Sequence, residues 1–155
     1  MERHPEIIEF LNEALRAELT AINQYFTHSK MCENWGWGKL AAKFRSDSIE
    51  EMHDAEKIMD RILLLGGQPN PSKLGTVKVG LTVPEQLDND MELEIAAIDR
   101  YGKGIELAMD KGDVGTRELL EGLLIEEEQH LDWIETQKSI IDEIGLESYL
   151  QSQIV

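Results

Sequence analysis

The chain predicts an all-α fold: a four-helix bundle with a long crossover between the second and third helices and a short fifth helix at the C-terminal end. Three observations predict it. The 155 residues contain only four prolines, which leaves room for long uninterrupted helices. The strongest breakers, Gly66-Gly67-Gln-Pro69-Asn-Pro71, fall near the middle. Apolar residues recur at spacings of three and four on either side of that break, the period of a helix with one face turned to a core. The length suits a single domain spanning residues 1–155.

Each element is bounded by recognisable signals. Pro5 suits a first helical turn, and the Trp35-Gly-Trp37-Gly turn ends the first helix and sets its hairpin. Thr82-Val-Pro84-Glu85 reads as a capping box, Gly112-Asp113 as a C-terminal glycine followed by the next helix's cap, and Gly145 as a further stop. The intervals predict helices at about 5–34, 39–65, 83–111, 114–144 and 146–153, the long ones on the order of 40 Å. Short turns make the first two and the last two long helices antiparallel hairpins. The stretch from Gly66 to Thr82, with Val77-Lys-Val79, is long enough to cross the bundle.

Composition narrows the function. Acidic residues total 31 against 15 Lys and Arg, for a net charge of −16. This excludes the clustered cations of a nucleic-acid binder and makes metal cations the natural partner. No apolar run approaches the roughly 18 residues that cross a bilayer, so no membrane association is expected. The single Cys32 excludes an internal disulfide and a CxxC metal knuckle, and with no apolar segment behind a basic start a cytoplasmic location is expected.

Every apolar stripe carries a glutamate near its middle. The first helix reads Ile8, Leu11, Leu15, Glu18, Ile22, Tyr25, and the second Phe44, Ser48, Glu51, Ala55, Ile58, Ile62, Leu65. The third reads Leu87, Met91, Glu94, Ile98, Tyr101, Ile105, Ala108, and the fourth Leu120, Leu124, Glu127, Leu131, Ile134, Lys138, Ile141. One such acid is ordinarily a surface residue out of phase, but four unpaired in a core would each cost several kcal/mol and repel one another. A cation between them resolves the conflict.

An internal repeat sharpens this. Glu18-Leu-Thr-Ala-Ile-Asn-Gln-Tyr25 resembles Glu94-Ile-Ala-Ala-Ile-Asp-Arg-Tyr101, and Ile49-Glu-Glu51 resembles Ile125-Glu-Glu127. Both matches carry one offset, from 18 to 94 and from 51 to 127. Two copies of one helical hairpin would bring equivalent carboxylates together about a pseudo-twofold axis, the geometry of a two-metal site. Glu127 and His130 form Glu-x-x-His, which sets both side chains on one helical face. Such a donor set suits iron, manganese, cobalt or zinc.

The first copy departs from this rule, because the offset maps His130 onto Asp54 while the neighbouring histidine is His53. Asp54 ligates in place of histidine, adding a negative charge that favours ferric over ferrous iron, or Glu50 and His53 form a shifted Glu-x-x-His. The second option turns the helix by about 100° and buries Glu50 at the expense of Ile58 and Ile62, so Asp54 is preferred. A third option is asymmetric or weak metal binding with poor turnover.

These motifs, with Asn34-Trp-Gly36, Ser48-Ile-Glu-Glu-Met52, Asp60-Arg-Ile-Leu63, Glu126-Glu-Glu-Gln-His-Leu-Asp-Trp133 and Tyr149-Leu-Gln-Ser-Gln-Ile154, resemble the bacterioferritin family over essentially the whole chain. The resemblance implies a ferritin-like fold and a homo-oligomeric shell of 24 subunits that oxidises ferrous iron at an intrasubunit di-iron centre and stores the mineral inside. Its ligands would be Glu18, Glu51, Glu94, Glu127 and His130, with Asp54 at the remaining histidine's position. The same resemblance implies haem b or a related haem shared by twofold dimers through Met52 of each chain, and a ferredoxin-type reductant for iron release. Tyr25 and Tyr101 lie one heptad beyond Glu18 and Glu94, close to the expected metals, and Tyr25 above all is expected to serve the catalytic site by hydrogen-bonding a ligand or passing electrons; Trp133 reads as packing, Cys32 as a buried or interface thiol, and His4 and His28 have no ligand spacing. The alternative function is a haem-carrying storage subunit whose ferroxidase centre is impaired by Asp54 and which co-assembles with an active paralogue.

Overall fold

A computed structural model describes residues 3–155. Its helices are α1 (Pro5–Trp35), α2 (Gly38–Leu64), α3 (Val83–Asp110), α4 (Val114–Ile144) and α5 (Leu146–Gln151). All five lie where the punctuation puts them. Pro5 opens α1, and Gly36 closes it in the left-handed region at φ 93°, which glycine adopts without strain. Thr82 caps α3 by accepting from the Glu85 N–H, but the Glu85 carboxylate reaches one residue further back than a capping box requires, to the N–H of Leu81. Asp113 caps α4 through Thr116 and also takes the Arg61 guanidinium at 2.6 Å, which ties the second hairpin to α2.

The bundle pairs α1 with α2 and α3 with α4, and α1 packs against α3 across the middle. Its apolar core falls into two clusters. One holds Leu11, Leu15, Ile58, Ile62, Tyr101 and Leu120, and the other Cys32, Leu40, Phe44, Leu87, Ile134 and Tyr149. On every long helix the stripe glutamate falls between the residues of one cluster and those of the other. The apolar faces are narrower than the sequence pattern suggests: Ile22, Met91, Ile98, Leu124 and Leu131 are only half-buried, whereas Thr20, Gln24, His28, Gln86 and Asp90 are buried.

Those polar residues hold the crossover. Between Leu65 and Thr82 the chain runs without helix or strand, so its backbone N–H groups need other acceptors. Thr20, Gln24 and His28, each four residues apart on α1, supply them. The Thr20 hydroxyl accepts from Gly75 N–H at 2.8 Å, Gln24 Oε1 from Lys78 N–H at 3.0 Å, and His28 Nε2 from Gly80 N–H at 2.9 Å. Asp90 on α3 fixes two of the three, accepting from Gln24 Nε2 at 2.8 Å and lying 3.0 Å from His28 Nδ1. His28 is thus a buried structural histidine, with a role that its lack of ligand spacing left unassigned.

Leu120 is fully buried where α4 meets the first cluster. Leu120→Ala is expected to cost about 2–5 kcal/mol and to lower the thermal unfolding midpoint, as circular dichroism would record.

Candidate metal centre

Six ionisable side chains from four helices converge between the two apolar clusters. Glu18 comes from α1, Glu51 and Asp54 from α2, Glu94 from α3, and Glu127 and His130 from α4, and all six are buried. Their donor atoms form two overlapping groups, each within 4.8 Å: Glu51, Glu94, Glu127 and His130, and Glu18, Glu51, Asp54 and Glu127. Glu51 and Glu127 belong to both. Two lobes joined by two shared carboxylates is the arrangement that holds two cations at bridging distance.

The phase of α2 decides which neighbour faces inward. Burying Ile58 and Ile62 carries Asp54 to 0% exposure and Glu51 to 1%, while His53 lies at the surface, 4.0 Å from Glu56. Glu50 does not join the six. Its Oε2 lies 3.0 Å from His130 Nε2, with Asp47 3.9 Å from the same nitrogen. His130 Nδ1 faces the other way, 3.3 Å from Glu51 and 3.5 Å from Glu94. With Nε2–H donating to Glu50, the Nδ1 lone pair is free to face the acids, the usual way an outer carboxylate sets a ligand tautomer.

The two tyrosines exchange partners across the pseudo-twofold axis. Tyr25 of the first repeat donates to Glu94 of the second, and Tyr101 of the second donates to Glu18 of the first. Even so, polar capacity is left over. Glu18 Oε2, Glu51 Oε1, both Asp54 oxygens, Glu94 Oε2, Glu127 Oε1 and His130 Nδ1 are buried without hydrogen-bond partners. Every one of the six residues contributes such an atom, and buried polar atoms are otherwise nearly always satisfied. A donor set of oxygens and one imidazole, left open on the inside, fits two hard or borderline divalent cations.

The acids show the same pressure in their protonation. Burial pushes Glu18 up to about 7, with the Tyr101 hydrogen bond opposing it, and Glu127 up to about 8, with Glu94 adding to the rise. Asp54 rises to about 9 through burial and the nearby carboxylates of Glu126 and Glu18, and Glu51 is raised well above the carboxylate range by burial and the nearby Glu18. Burial alone would lower His130, but the carboxylates of Glu127, Glu51 and Glu94 outweigh it and hold the ring's affinity for protons up. A cavity of about 20 Å³ opens on the acids between Ala17, Ala21 and Ala97, with Arg100 on its wall. Small side chains here leave a way in for an ion.

Met52 lies elsewhere on α2, 46% exposed, and Ile49 and Phe26 are also large apolar side chains left exposed. Trp133 packs edge-on against Phe44 with its ring beneath Lys43 Nζ, which is the packing role expected of it. Cys32 is buried against Gln86, and burial pushes its thiol up to about 12. Sequence reasoning passed over the outer carboxylate Asp47 and the Glu126 neighbour of Asp54, and weighed Glu50 only as a ligand paired with His53, whereas it lies against His130 Nε2. The signal was Asp47 one turn before Glu51 and Glu50 one turn before Asp54 on an acid-rich helix.

A ferritin-like domain model matches residues 8–144. A bacterioferritin of Streptomyces coelicolor is 48% identical over 154 residues, covering 99% of this chain and 92% of that protein. Bacterioferritin BfrA of Mycobacterium tuberculosis is 45% identical over 149 residues, covering 96% of this chain and 94% of that protein. The solved structure of Mycobacterium tuberculosis bacterioferritin BfrA superposes with a TM-score of 0.98 at 43% identity, covering all of this chain and 98% of that one.

The raised acids give the metal-free protein an inverted pH dependence. A buried acid with a folded pKa above its unfolded value binds extra protons in the folded state. Stability therefore falls as pH rises, from the unfolded carboxylate value near 4 to the folded values of about 7 to 9. The unfolding midpoint of chelator-treated protein should drop between pH 5 and pH 9, and Zn(II) should restore it. Asp54→Asn should raise that midpoint at alkaline pH and weaken Zn(II) binding in calorimetry.

Proposed function

This chain belongs to the ferritin family, among the bacterioferritins, and on that premise we propose that it stores iron and oxidises it on entry at the buried six-residue centre. The observation that carries the second step is the set of inward-facing donor atoms, at least one per residue, with no partner in the protein. Ferrous iron is the substrate. One ion would be held by Glu94, His130 and the shared Glu51 and Glu127, the other by Glu18, Asp54 and the same shared pair.

The protein's part is placement and charge. Glu51 and Glu127 hold the two ions at a common distance, so that dioxygen or peroxide can take an electron from each in one encounter. Five carboxylates and a neutral imidazole leave the loaded ferrous pair one negative charge in excess. Oxidation turns this into one positive charge, so the additional anion at Asp54 favours the ferric product. Glu50 keeps His130 Nδ1 directed inward, and Ala17, Ala21 and Ala97 leave the entry narrow. The oxidised ions then pass to a mineral inside a hollow shell of 24 chains, consistent with the near-complete superposition on a bacterioferritin subunit.

The impaired-centre reading also has an observation in its favour. Burial and the neighbouring carboxylates of Glu126 and Glu18 push Asp54 up to about 9, so metal must displace a proton to bind there. In that case the subunit stores iron oxidised by an active paralogue.

Haem is the second proposed component. Met52 presents a thioether at the surface rather than to the acids, and exposed Ile49 lies three residues from it. A soft sulfur donor with an apolar neighbour suits a haem iron and macrocycle shared with the Met52 of a second chain. Bound there, haem would supply a one-electron relay for release of the mineral, with a ferredoxin-type protein as the external reductant. No helix of the described residues is long and apolar enough to cross a membrane, and the buried free thiol of Cys32 suits a reducing cytoplasm.

Anaerobic loading with ferrous iron followed by air should give fast oxidation that Glu127→Ala reduces to the rate of iron in buffer, followed by absorbance in a stopped-flow cell; an unchanged rate refutes the centre. Asp54→His separates the two readings: a large gain in rate identifies an impaired centre, and no gain shows that aspartate suffices. Met52→Leu should abolish the haem absorption band while leaving the assembled size unchanged by gel filtration.

A further inference from the structure

We propose that the cavity outside the entry to the acids is an oxyanion site, taking a small multiply charged anion of the phosphate or polycarboxylate class between Arg16 and Arg100. The cavity has a volume of about 310 Å³ and is walled by α1, α3 and the crossover. Pockets that hold small molecules start at about 300 Å³. It shares Ala17, Leu93 and Arg100 with the cavity of about 20 Å³ that opens on the acids. An anion bound there sits beside the way in.

Charge gives the cavity its preference. The chain carries a net charge of −16, so an anion is repelled from most of its surface. Here two guanidiniums line the cavity against one acid, Glu13, among the described residues. Acidic residues outnumber basic ones by 31 to 15, and a guanidinium in such a chain finds a carboxylate easily. Among the described residues, however, the arginine ion pairs are those of Arg61 with Asp113 and of Arg117 with Glu121. Arg16 and Arg100 have none. Arg100 is half-buried and so held by the fold, whereas Arg16 is exposed and can close on a ligand. The planar fork of each matches the paired oxygens of a phosphate or a carboxylate.

The crossover completes the wall. The Thr20 hydroxyl is committed twice, accepting from Gly75 N–H at 2.8 Å and donating to the Arg16 carbonyl at 2.7 Å, so it fixes the rim rather than serving the ligand. Gly75 comes so close that a Cβ on it would stand 3.1 Å from that hydroxyl. This approach brings Thr76 into the lining, with a further hydroxyl to donate. The site itself stands apart from the ferroxidase reading, but its effect on iron rests on that reading. Two guanidiniums at the entry repel an incoming ferrous ion, and a bound oxyanion cancels the repulsion. Free phosphate and a polycarboxylate that also chelates iron present the same charged oxygens to the arginines.

Chelator-treated, assembled full-length protein is titrated in a calorimeter with inorganic phosphate and, separately, with citrate, against chloride at matched ionic strength. One site per chain is expected, weakened about tenfold by Arg100→Gln and by Arg16→Gln, with the assembled size unchanged by gel filtration. Phosphate binding alone identifies a free-phosphate site, citrate binding alone a polycarboxylate site, and competition between them a shared one. No heat beyond the chloride control, or binding that ignores both substitutions, overturns the proposal. In stopped-flow oxidation of ferrous iron, the anion that binds should raise the initial rate of the parent and have no effect on that of Arg100→Gln, the two compared in one buffer so that oxidation in solution cancels. A parent rate that ignores the bound anion overturns its effect on entry. Arginine-dependent binding in a chain without fast oxidation removes the ferroxidase reading and leaves the anion site standing; fast oxidation without anion binding does the reverse.

Discussion

The structure depends on one electrostatic constraint: five carboxylates and an imidazole share a buried volume at the centre of the bundle, and the protein satisfies them only in part. The apolar clusters above and below could have met across that gap. Instead each long helix interrupts its stripe once, at the same level, and leaves at least one oxygen or nitrogen per residue without a partner. Such a core is tolerable in two conditions, with protons on several of the acids or with cations between them. The first lowers the charge and the second uses it, so proton release and metal entry are one event seen from two sides.

The asymmetry between the lobes follows from the same constraint. In the second repeat His130 brings a neutral donor and an outer carboxylate that orients it. The first repeat has Asp54 at the equivalent place, with Glu126 beside it. Equivalent backbone positions therefore carry different donors, an imidazole in one lobe and a carboxylate in the other, even though the helices that build them are repeats. Symmetry of fold does not impose symmetry of charge.

Much of this was legible in the sequence, because it is written in local periodicity. The helix limits follow from Pro5, Gly36, Thr82 and Asp113, and the level of the acids follows from counting in threes and fours. The choice between His53 and Asp54 was also readable, since burying Ile58 and Ile62 fixes the phase of α2 and leaves only one of the two facing in. What could not be read were contacts between distant segments with no period of their own. His28 has no pattern around it because its partners, Asp90 and Gly80, lie on α3 and on an irregular crossover. The crossover's length announced a crossing, but nothing in its residues names the strip of α1 that receives it. The exchange of tyrosines was half visible: the repeat placed Tyr25 and Tyr101 equivalently, but their donation to each other's hairpin needs the two hairpins docked.

That exchange has a mechanical consequence. Leucine and isoleucine contacts between two long helices are forgiving of axial sliding, since a shift of one turn offers a comparable surface. Glu18 and Tyr101 on one side, and Tyr25 and Glu94 on the other, run antiparallel at two levels of the α1 and α3 contact. Any slip lengthens both links at once, in whichever direction it goes. The phenols thus act as a ratchet pin for the bundle, and the alignment of the two half-sites is set by the residues that border them rather than by the greasy faces that carry most of the contact.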